Sequence, residues 1–193
     1  ITGLVTVADN TIDLKDEVMG SDYDGIMYLD LPDGCTVEQR GNRVIGVGDG
    51  LVISGCLGDI TVDGDWFEAG ATQSRYACTL PNTEDKQSSG IVIKNSVFTG
   101  FEYGFELNEP LGSEMDVLNN TFVFTGAEQG FRIVADVAGN NVYLINNIFG
   151  YTPETNKYYV NKVGEDSVLA SDYNCYANSA AGNWWAHEGT AKN

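Results

Sequence analysis

The sequence predicts an all-β fold: a right-handed parallel β-helix (β-solenoid) of about seven or eight coils that forms a single domain. Three observations lead to this prediction. Short runs of Val, Ile, Phe and Tyr are separated by Gly, Asn and Asp, which is typical of strands joined by turns. The chain contains 23 Gly but only 4 Pro. A six-residue pattern also recurs about once per coil, and such a period indicates stacked repeats.

The recurring pattern consists of an apolar residue, any residue, Asn, a small residue or Asn, any residue, and an aromatic residue. It covers 93–98, 117–122 and 144–149, with a degenerate copy at 171–176. The equivalent positions Asn95, Asn119, Asn146 and Tyr173 are therefore 24, 27 and 27 residues apart. A unit of this length cannot bury an apolar face alone, but stacked units form a continuous core between parallel sheets.

The repeated Asn has a predicted structural role at a bend between two sheets. Asn accepts the left-handed conformation that such a bend requires. We expect the side chains of Asn95, Asn119 and Asn146 to hydrogen bond from coil to coil as a ladder, with the aromatic residue of each copy buried beneath. Asn119 also begins a formal N-glycosylation sequon, but a ladder residue would be buried and unmodified.

The repeat is clearest in the second half of the chain, and the remaining segments are assigned by position. Residues 1–25 are predicted to form an N-terminal strand and cap. Residues 64–90, which include Trp66, Pro81 and a polar run, are predicted to be partly a loop inserted between coils. Residues 177–193 are predicted to form a C-terminal cap.

The coil that contains Asn and ends in an aromatic residue resembles the right-handed parallel β-helix of the pectin-lyase-like superfamily. The resemblance covers residues 89–178 and, more weakly, 26–64. This fold hosts lyases, hydrolases, viral spike proteins and purely structural solenoids, so the resemblance implies the fold and not one activity. In pectate-lyase-like members it implies carboxylates that bind calcium, together with a basic residue that abstracts a proton.

One predicted outward patch could carry such chemistry. Stacking the strands at 103–107 and 129–133 places Glu106 beside Arg132, with Tyr159 next in the third coil. Glu102 and Glu128 are equivalent positions in the same two coils. If the chain is an enzyme, Arg132, Glu106, Glu102 and Glu128 are the catalytic candidates. The alternative is a solvated face with a Glu106–Arg132 ion pair.

Aromatic residues near the C-terminus are candidates for ligand binding. Trp184 and Trp185, together with Tyr159, could stack on sugar rings. The two tryptophans could equally cap the exposed end of the solenoid. His187 is the only histidine, and the sequence offers no Ser–His–Asp arrangement to support nucleophilic catalysis.

No cofactor is firmly predicted, and Ca²⁺ is the one candidate. The spacing of Asp22 and Asp24, and of Asp63 and Asp65, could place two carboxylates around a calcium ion. Neither pair completes an EF-hand loop. Turn formation at Asp-Gly explains the same residues without a metal.

The four cysteines do not fit a zinc site, because no Cys-x-x-Cys pair exists. Cys35, Cys56 and Cys78 are spaced by 21 and 22 residues, which is close to one coil. We therefore expect one disulfide between adjacent coils, with the third cysteine either paired with Cys175 or free. Buried thiols are the alternative.

Charge and termini narrow the classes of function. The formal charge of −18 excludes nucleic acid and anionic lipid as partners, and no apolar run is long enough to predict membrane insertion. The first residue is Ile, so a secretory leader could have been removed, and we expect a secreted, extracellular or cell-surface location. Residues 1–8 are predicted to form an uncharged apolar strand, which could cap its own solenoid or pair with the sheet edge of a second copy.

The sequence therefore favours a non-catalytic extracellular structural or surface solenoid that associates with itself, as a filament subunit, adhesin or virion component. The alternatives are a polysaccharide lyase or hydrolase, supported by the fold resemblance, and a polysaccharide-binding module that uses exposed aromatic residues. The partners expected are a second copy of the chain or a polysaccharide.

Overall fold

The computed structural model describes residues 3–14, 23–70, 76–81, 86–123, 129–133, 141–150, 158–162, 168–176, 183–187 and 190–192. All regular elements in these ranges are β-strands. None of the residues described belongs to a helix long and apolar enough to cross a membrane.

The strands are short and follow one another at regular intervals. In chain order they are β1 (Gly3–Ala8), β2 (Thr11–Asp13), β3 (Asp24–Leu29), β4 (Cys35–Arg40), β5 (Arg43–Val47), β6 (Asp49–Ser54), β7 (Asp59–Asp63), β8 (Trp66–Ala69), β9 (Tyr76–Leu80), β10 (Ile91–Lys94), β11 (Val97–Thr99), β12 (Tyr103–Leu107), β13 (Met115–Leu118), β14 (Thr121–Val123), β15 (Gln129–Ile133), β16 (Asn141–Ile145), β17 (Ile148–Phe149), β18 (Tyr158–Lys162), β19 (Val168–Asp172), β20 (Cys175–Tyr176), β21 (Asn183–His187) and β22 (Thr190–Lys192).

Every third strand joins the same sheet. Sheet A has the order β1-β4-β7-β10-β13-β16-β19, and sheet B has the order β2-β5-β8-β11-β14-β17-β20. Sheet C runs β3-β6-β9-β12-β15-β18-β21 and ends with β22. Neighbours are parallel throughout, except that β22 pairs antiparallel with β21. The chain therefore folds as a parallel β-solenoid, which confirms the predicted fold class.

The strand register follows the sequence repeat. Phe98 lies opposite Phe122, Phe122 lies opposite Phe149, and Phe149 lies opposite Tyr176. Phe67 extends this row toward the first half of the chain. Because side chains alternate between the two faces of a strand, this whole row points into the solenoid.

The inward row forms a column of stacked rings. Successive ring centroids from Phe67 to Tyr176 are 5.0, 5.5, 5.1 and 5.1 Å apart. Phe105 from sheet C packs edge-on against Phe98 and Phe122. Phe122 is fully buried, as the repeat predicts. Burial of such large rings is the main source of stability in a core of this kind.

The enclosed core is shorter than the seven or eight coils expected from the length of the chain. Most of the buried apolar side chains belong to about four successive turns, from β4 to β15. A turn at the end of the stack has a neighbouring turn on one side only. Val5, for example, occupies the inward position of Val37 but is 48% exposed, whereas Val37 is fully buried.

The described parts of the assigned segments take part in the sheets. In 1–25, the N-terminal strand is present as β1, and β1, β2 and the start of β3 each join one of the three sheets. Residues 64–90 contain β8 and β9, and a β-bridge joins Ser88 to Leu111 in the next turn. β8 and β9 are thus stacked strands of the solenoid and not part of an inserted loop. In the 177–193 segment, β21 continues sheet C and β22 lies along its edge.

Candidate functional site

The corners between sheets A and B carry the repeated Asn. Asn95, Asn119, Asn146 and Tyr173 have φ between 53° and 57°, the left-handed conformation. Their side chains point outward, however, and all are exposed. The predicted ladder of Asn95, Asn119 and Asn146 is therefore wrong by one residue, because the left-handed residue makes the bend on the outside of the corner. The side chain that follows it points inward.

The sequon at Asn119 is affected by the same correction. Asn119 was expected to be buried and hence protected from glycosylation, but it is exposed at the corner. Burial therefore gives no protection against modification at this site.

A hydrogen-bonded ladder is formed by the residue after each bend. Its seven rungs are Asn10, Asn42, Asp65, Ser96, Asn120, Asn147 and Asn174. The backbone N–H of each rung donates to the side-chain oxygen of the next, at 3.1, 2.7, 3.1, 2.9, 2.9 and 2.8 Å. The five rungs from Asn42 to Asn147 are almost completely buried. Buried polar groups need such partners, so the ladder makes this corner compatible with a closed core.

The ladder has a direction. Every backbone N–H donates toward the next turn, and the carboxamide of Asn120 also donates to Asn147 Oδ1 at 3.2 Å. Within the described residues, no group donates to Asn10 Oδ1, and no side chain accepts the backbone N–H of Asn174. The first rung thus presents an acceptor and the last rung presents a donor.

We call the surface formed by β1, β2 and Asn10 the first-turn end. Leu4 is 60% exposed and Val5 is 48% exposed on β1. Ile12 on β2 is only partly buried against the core. This end combines open strand edges with apolar side chains, which is typical of an interaction surface.

We call the surface formed by β19, β20 and Asn174 the last-turn end. Val168 on β19 is 52% exposed, and Leu169 is partly buried against the core. Tyr176 on β20 stacks on Phe149. Among the described strands, β19 and β20 each have one neighbour, whereas the corresponding edge of sheet C is covered by β22.

The predicted Glu106–Arg132 contact lies on the outer face of sheet C. Arg132 Nη1 is 2.5 Å from Glu106 Oε1, and Glu106 is buried. Burial, together with the charge and the hydrogen bond of Glu106, raises the pKa of Tyr76 to about 12. The Tyr76 and Tyr103 rings lie 5.1 Å apart beside the pair. Arg132 and Glu106 carry opposite charges, and their contact joins β12 to β15.

The other members of the predicted patch are placed differently. Asn161, not Tyr159, lies opposite Arg132, because the two strands pair two positions away from the expected register. Glu102 is exposed in the turn before β12, and Glu128 lies outside the described residues. The backbone of β21 carries Trp184 and Trp185, with Trp185 opposite Val160.

Of the two calcium-candidate pairs, the structure describes both members of one, and it places Asp63 and Asp65 in different surroundings. Asp63 Oδ1 accepts from Asn95 Nδ2 at 2.7 Å and faces outward, whereas Asp65 is buried as a rung of the ladder. Asp24 lies on β3, and Asp22 is outside the described residues. Over the ranges described, no three His, Cys, Asp or Glu side chains come together as a metal site.

The expected disulfide is not formed between any two of the four cysteines, all of which lie in described ranges. Their spacing was misleading because they belong to different positions of the coil. Cys35 begins β4 in sheet A, whereas Cys78 lies opposite Leu51 in sheet C. Cys56 follows the end of β6. Burial raises the pKa of both Cys56 and Cys78, so these thiols stay protonated.

A groove of about 800 Å³ runs along the outer face of sheet A. Its lining includes Thr36, Asp59, Thr61, Glu114, Asp116 and Asn141, contributed by successive turns. Gly90 N donates to Ser113 Oγ at 2.8 Å where the turns before β10 and β13 border the groove. Burial and the neighbouring Glu114 raise the pKa of Asp116. The groove is thus acidic, rich in hydroxyl groups, and long enough to span several strands.

Two buried polar clusters were missed by sequence reasoning. Glu109 is fully buried and accepts from Ser54 Oγ, Ser88 Oγ and Gly55 N at 3.0, 2.7 and 2.9 Å. Inside the core, Tyr28 donates to Gln39, and Gln39 donates to Asp65. The only signal in the sequence was Gln39 at an inward position of an alternating strand.

Comparison with known proteins gives no further assignment. No protein-family model matches the chain, and no curated protein or solved structure shows significant similarity to it.

Proposed function

We propose that this protein is a non-catalytic structural or surface β-solenoid that works outside the cell and associates with itself, as a filament subunit, adhesin or virion component. The observation that carries the proposal is the first-turn end. An inward core position, Val5, is half exposed there, beside strand edges without a second neighbour among the described strands. A second copy placed on this end would bury the apolar side chains and pair the open edges.

The Glu106–Arg132 contact supports the non-catalytic part of the proposal. An acid or base must be free to exchange a proton with its substrate. Glu106 is instead buried under Arg132 and is hydrogen bonded to Tyr76. A relationship to the pectin-lyase-like superfamily remains a proposal based on the repeat, and it is compatible with a structural role because the fold hosts such proteins.

The formal charge of −18 opposes association between copies. Salt screens this repulsion, since the Debye length falls from about 10 Å at 0.1 M to about 3 Å at 1 M ionic strength. Self-association should therefore strengthen as salt is added. This behaviour is the opposite of that expected for an interface held by ion pairs.

The test is sedimentation velocity over a range of protein and salt concentrations. We expect the wild-type chain to form larger species, and Val5→Glu to remain a monomer because a carboxylate replaces an apolar contact. Val123→Glu is the matched control, because Val123 is also exposed but lies on the lateral face of β14. A wild-type monomer at all concentrations would refute the proposal, as would equal behaviour of the two variants.

The groove on sheet A favours a second candidate function, the binding of a polysaccharide. Hydroxyl, carboxylate and amide groups from Thr36, Thr61, Asp116 and Asn141 lie along its length. These groups pair with the hydroxyls of an extended sugar chain. The acidic lining favours a neutral or amine-bearing polysaccharide over an anionic one.

Affinity electrophoresis in gels that contain neutral, amine-bearing or anionic polysaccharides tests this second candidate. We expect the first two classes to retard the protein, with retardation lost in Thr61→Trp, which fills the groove. Thr99→Trp is the control at a half-buried Thr of sheet B, on another face of the solenoid. Equal mobility in all gels would rule out the binding function.

A further inference from the structure

We propose that copies of this chain stack head to tail, with the last-turn end of one copy on the first-turn end of the next, so that the side-chain ladder continues across the interface. This inference rests on the proposed self-association and specifies its polarity. The key contact is Asn174 of one copy donating to Asn10 of the next.

The direction of the ladder selects this arrangement over its alternatives. Each internal rung donates its backbone N–H to the oxygen of the following rung, and the series ends with an acceptor at Asn10 and a donor at Asn174. Two first-turn ends brought together would set acceptor against acceptor. Two last-turn ends would set donor against donor. Only a head-to-tail contact pairs the two groups, and an unpaired polar group that becomes buried costs about 1–3 kcal/mol.

The register of the sheets matches apolar residues across the same contact. In sheet A, a single outward row of side chains begins at Leu4, which lies opposite Thr36. The same row ends at Val168, which lies opposite Asn141. If Asn174 of one copy and Asn10 of the next are spaced like neighbouring rungs within a copy, Val168 of the first copy lies beside Leu4 of the second. These are two of the most exposed apolar side chains described, at 52% and 60%.

The inward rows match in the same register. Leu169 of one copy would lie on Val5 of the next, and Tyr176 would lie on Ile12. Each of these side chains belongs to the inner face of its own turn, opposite a core residue such as Val142 or Phe149. Stacking would therefore extend the inward rows of sheets A and B across the interface.

Sheet C does not take part in the contact in the same way. At the last turn, β22 covers its edge as an antiparallel strand. The ladder lies at the corner between sheets A and B, which are the two sheets whose edges are open at both ends among the described strands. The contact is therefore expected to be confined to this corner and to its two sheets.

Mixing two blocked variants tests the polarity. Leu4→Glu blocks the first-turn end, and Val168→Glu blocks the last-turn end. If stacking is head to tail, each variant alone is a monomer. An equimolar mixture forms dimers of twice the monomer mass, because one intact end of each kind remains. Val123→Glu, on the lateral face, should assemble like the wild type.

Oxidative cross-linking gives an independent readout of the register. Adjacent parallel strands bring Cα atoms to about 4.8 Å, which is within disulfide reach. In a background in which Cys35 and Cys175 are Ser, a mixture of Leu4→Cys and Val168→Cys chains should yield a covalent dimer. Neither variant alone should do so.

The outcomes separate this inference from the function on which it rests. If the wild type associates but Val168→Glu still forms dimers, or Leu4→Cys cross-links to itself, self-association holds and the head-to-tail polarity is wrong. If the wild type is monomeric under all conditions, the proposed self-association is wrong, and the head-to-tail inference is refuted as well.

Discussion

Replacing Asn120 by Ala tests the buried ladder against its exposed neighbour in the sequence. The Asn120 carboxamide accepts from Ser96 N at 2.9 Å and donates to Ile93 O at 2.8 Å and to Asn147 Oδ1 at 3.2 Å. The side chain is almost fully buried. Its truncation removes three hydrogen bonds and leaves the N–H of Ser96 without its acceptor.

The cost follows from these contacts. A buried donor without a partner costs about 1–3 kcal/mol, and each further neutral hydrogen bond contributes about 0.5–1.5 kcal/mol. We therefore expect Asn120→Ala to lower the free energy of unfolding by about 2–6 kcal/mol. This is a large fraction of the roughly 5–15 kcal/mol that stabilises a typical domain.

Asn119 is the matched control, one residue away in the same sequon. It is exposed, and its φ of 57° is its main structural contribution. Asn119→Ala should cost about 1 kcal/mol, because Ala enters the left-handed region less readily than Asn. Asn119→Gly should cost nothing, since Gly has no such penalty. At position 120, Gly should be no better than Ala.

Urea unfolding followed by circular dichroism measures all four variants. The m-value should be unchanged, so that shifts of the midpoint report stability alone. If Asn119→Ala proves as destabilising as Asn120→Ala, or if Gly rescues position 120, then the ladder is not carried by the residue after the bend.

Three further predictions concern the rest of the molecule. Burial raises the pKa of Asp65 above its ordinary 3.8, so its contribution to stability is complete below pH 3.8 and is lost as the pH rises through the folded-state pKa; Asp65→Asn should remove this loss, and an unchanged pH dependence of unfolding would contradict it. A Cβ on Gly104 would collide with the backbone oxygen of Gly130, whereas one on Gly3 meets nothing within 4 Å. Gly104→Ala should therefore lower the free energy of unfolding by about 3 kcal/mol or more and reduce the thermal midpoint accordingly, and an effect as small as that of Gly3→Ala would be a refutation. Thiol titration should find four thiols after unfolding without reductant, with the exposed Cys175 alone reacting rapidly in the native state; two or fewer would indicate a disulfide.

The sequence repeat predicts the inward aromatic residues correctly, because a stacked fold imposes the same inward position on every turn. Phe98, Phe122 and Phe149 follow from the pattern alone. The hydrogen-bonded ladder lies one residue after the predicted positions, because two neighbouring polar residues, such as Asn119 and Asn120, occupy the same corner. Which of them bends the chain and which points inward depends on backbone angles, and composition does not distinguish the two.

The spacing between residues does not predict which sheet they join where coil lengths vary. The strands of sheet A recur at intervals from 23 to 32 residues, as the hydrogen bonds between successive rungs indicate. Cysteines spaced by about one coil can therefore fall in different sheets, as Cys35 and Cys78 do. A similar uncertainty in coil length places Asn161 opposite Arg132, two positions from the predicted Tyr159.

The ladder connects the stability of the solenoid to its proposed assembly. An internal rung such as Asn120 has a turn on each side, so its loss lowers the free energy of unfolding. Asn10 has a described turn on one side only, where it donates to Asn42 Oδ1 through both its backbone and its side chain. The acceptor that Asn10 presents on its other side has no role in folding the described turns, yet it has the same chemistry as the internal rungs. Removing that acceptor should therefore weaken contact between copies far more than it weakens the fold, and this separation distinguishes an assembly surface from an ordinary end of a core.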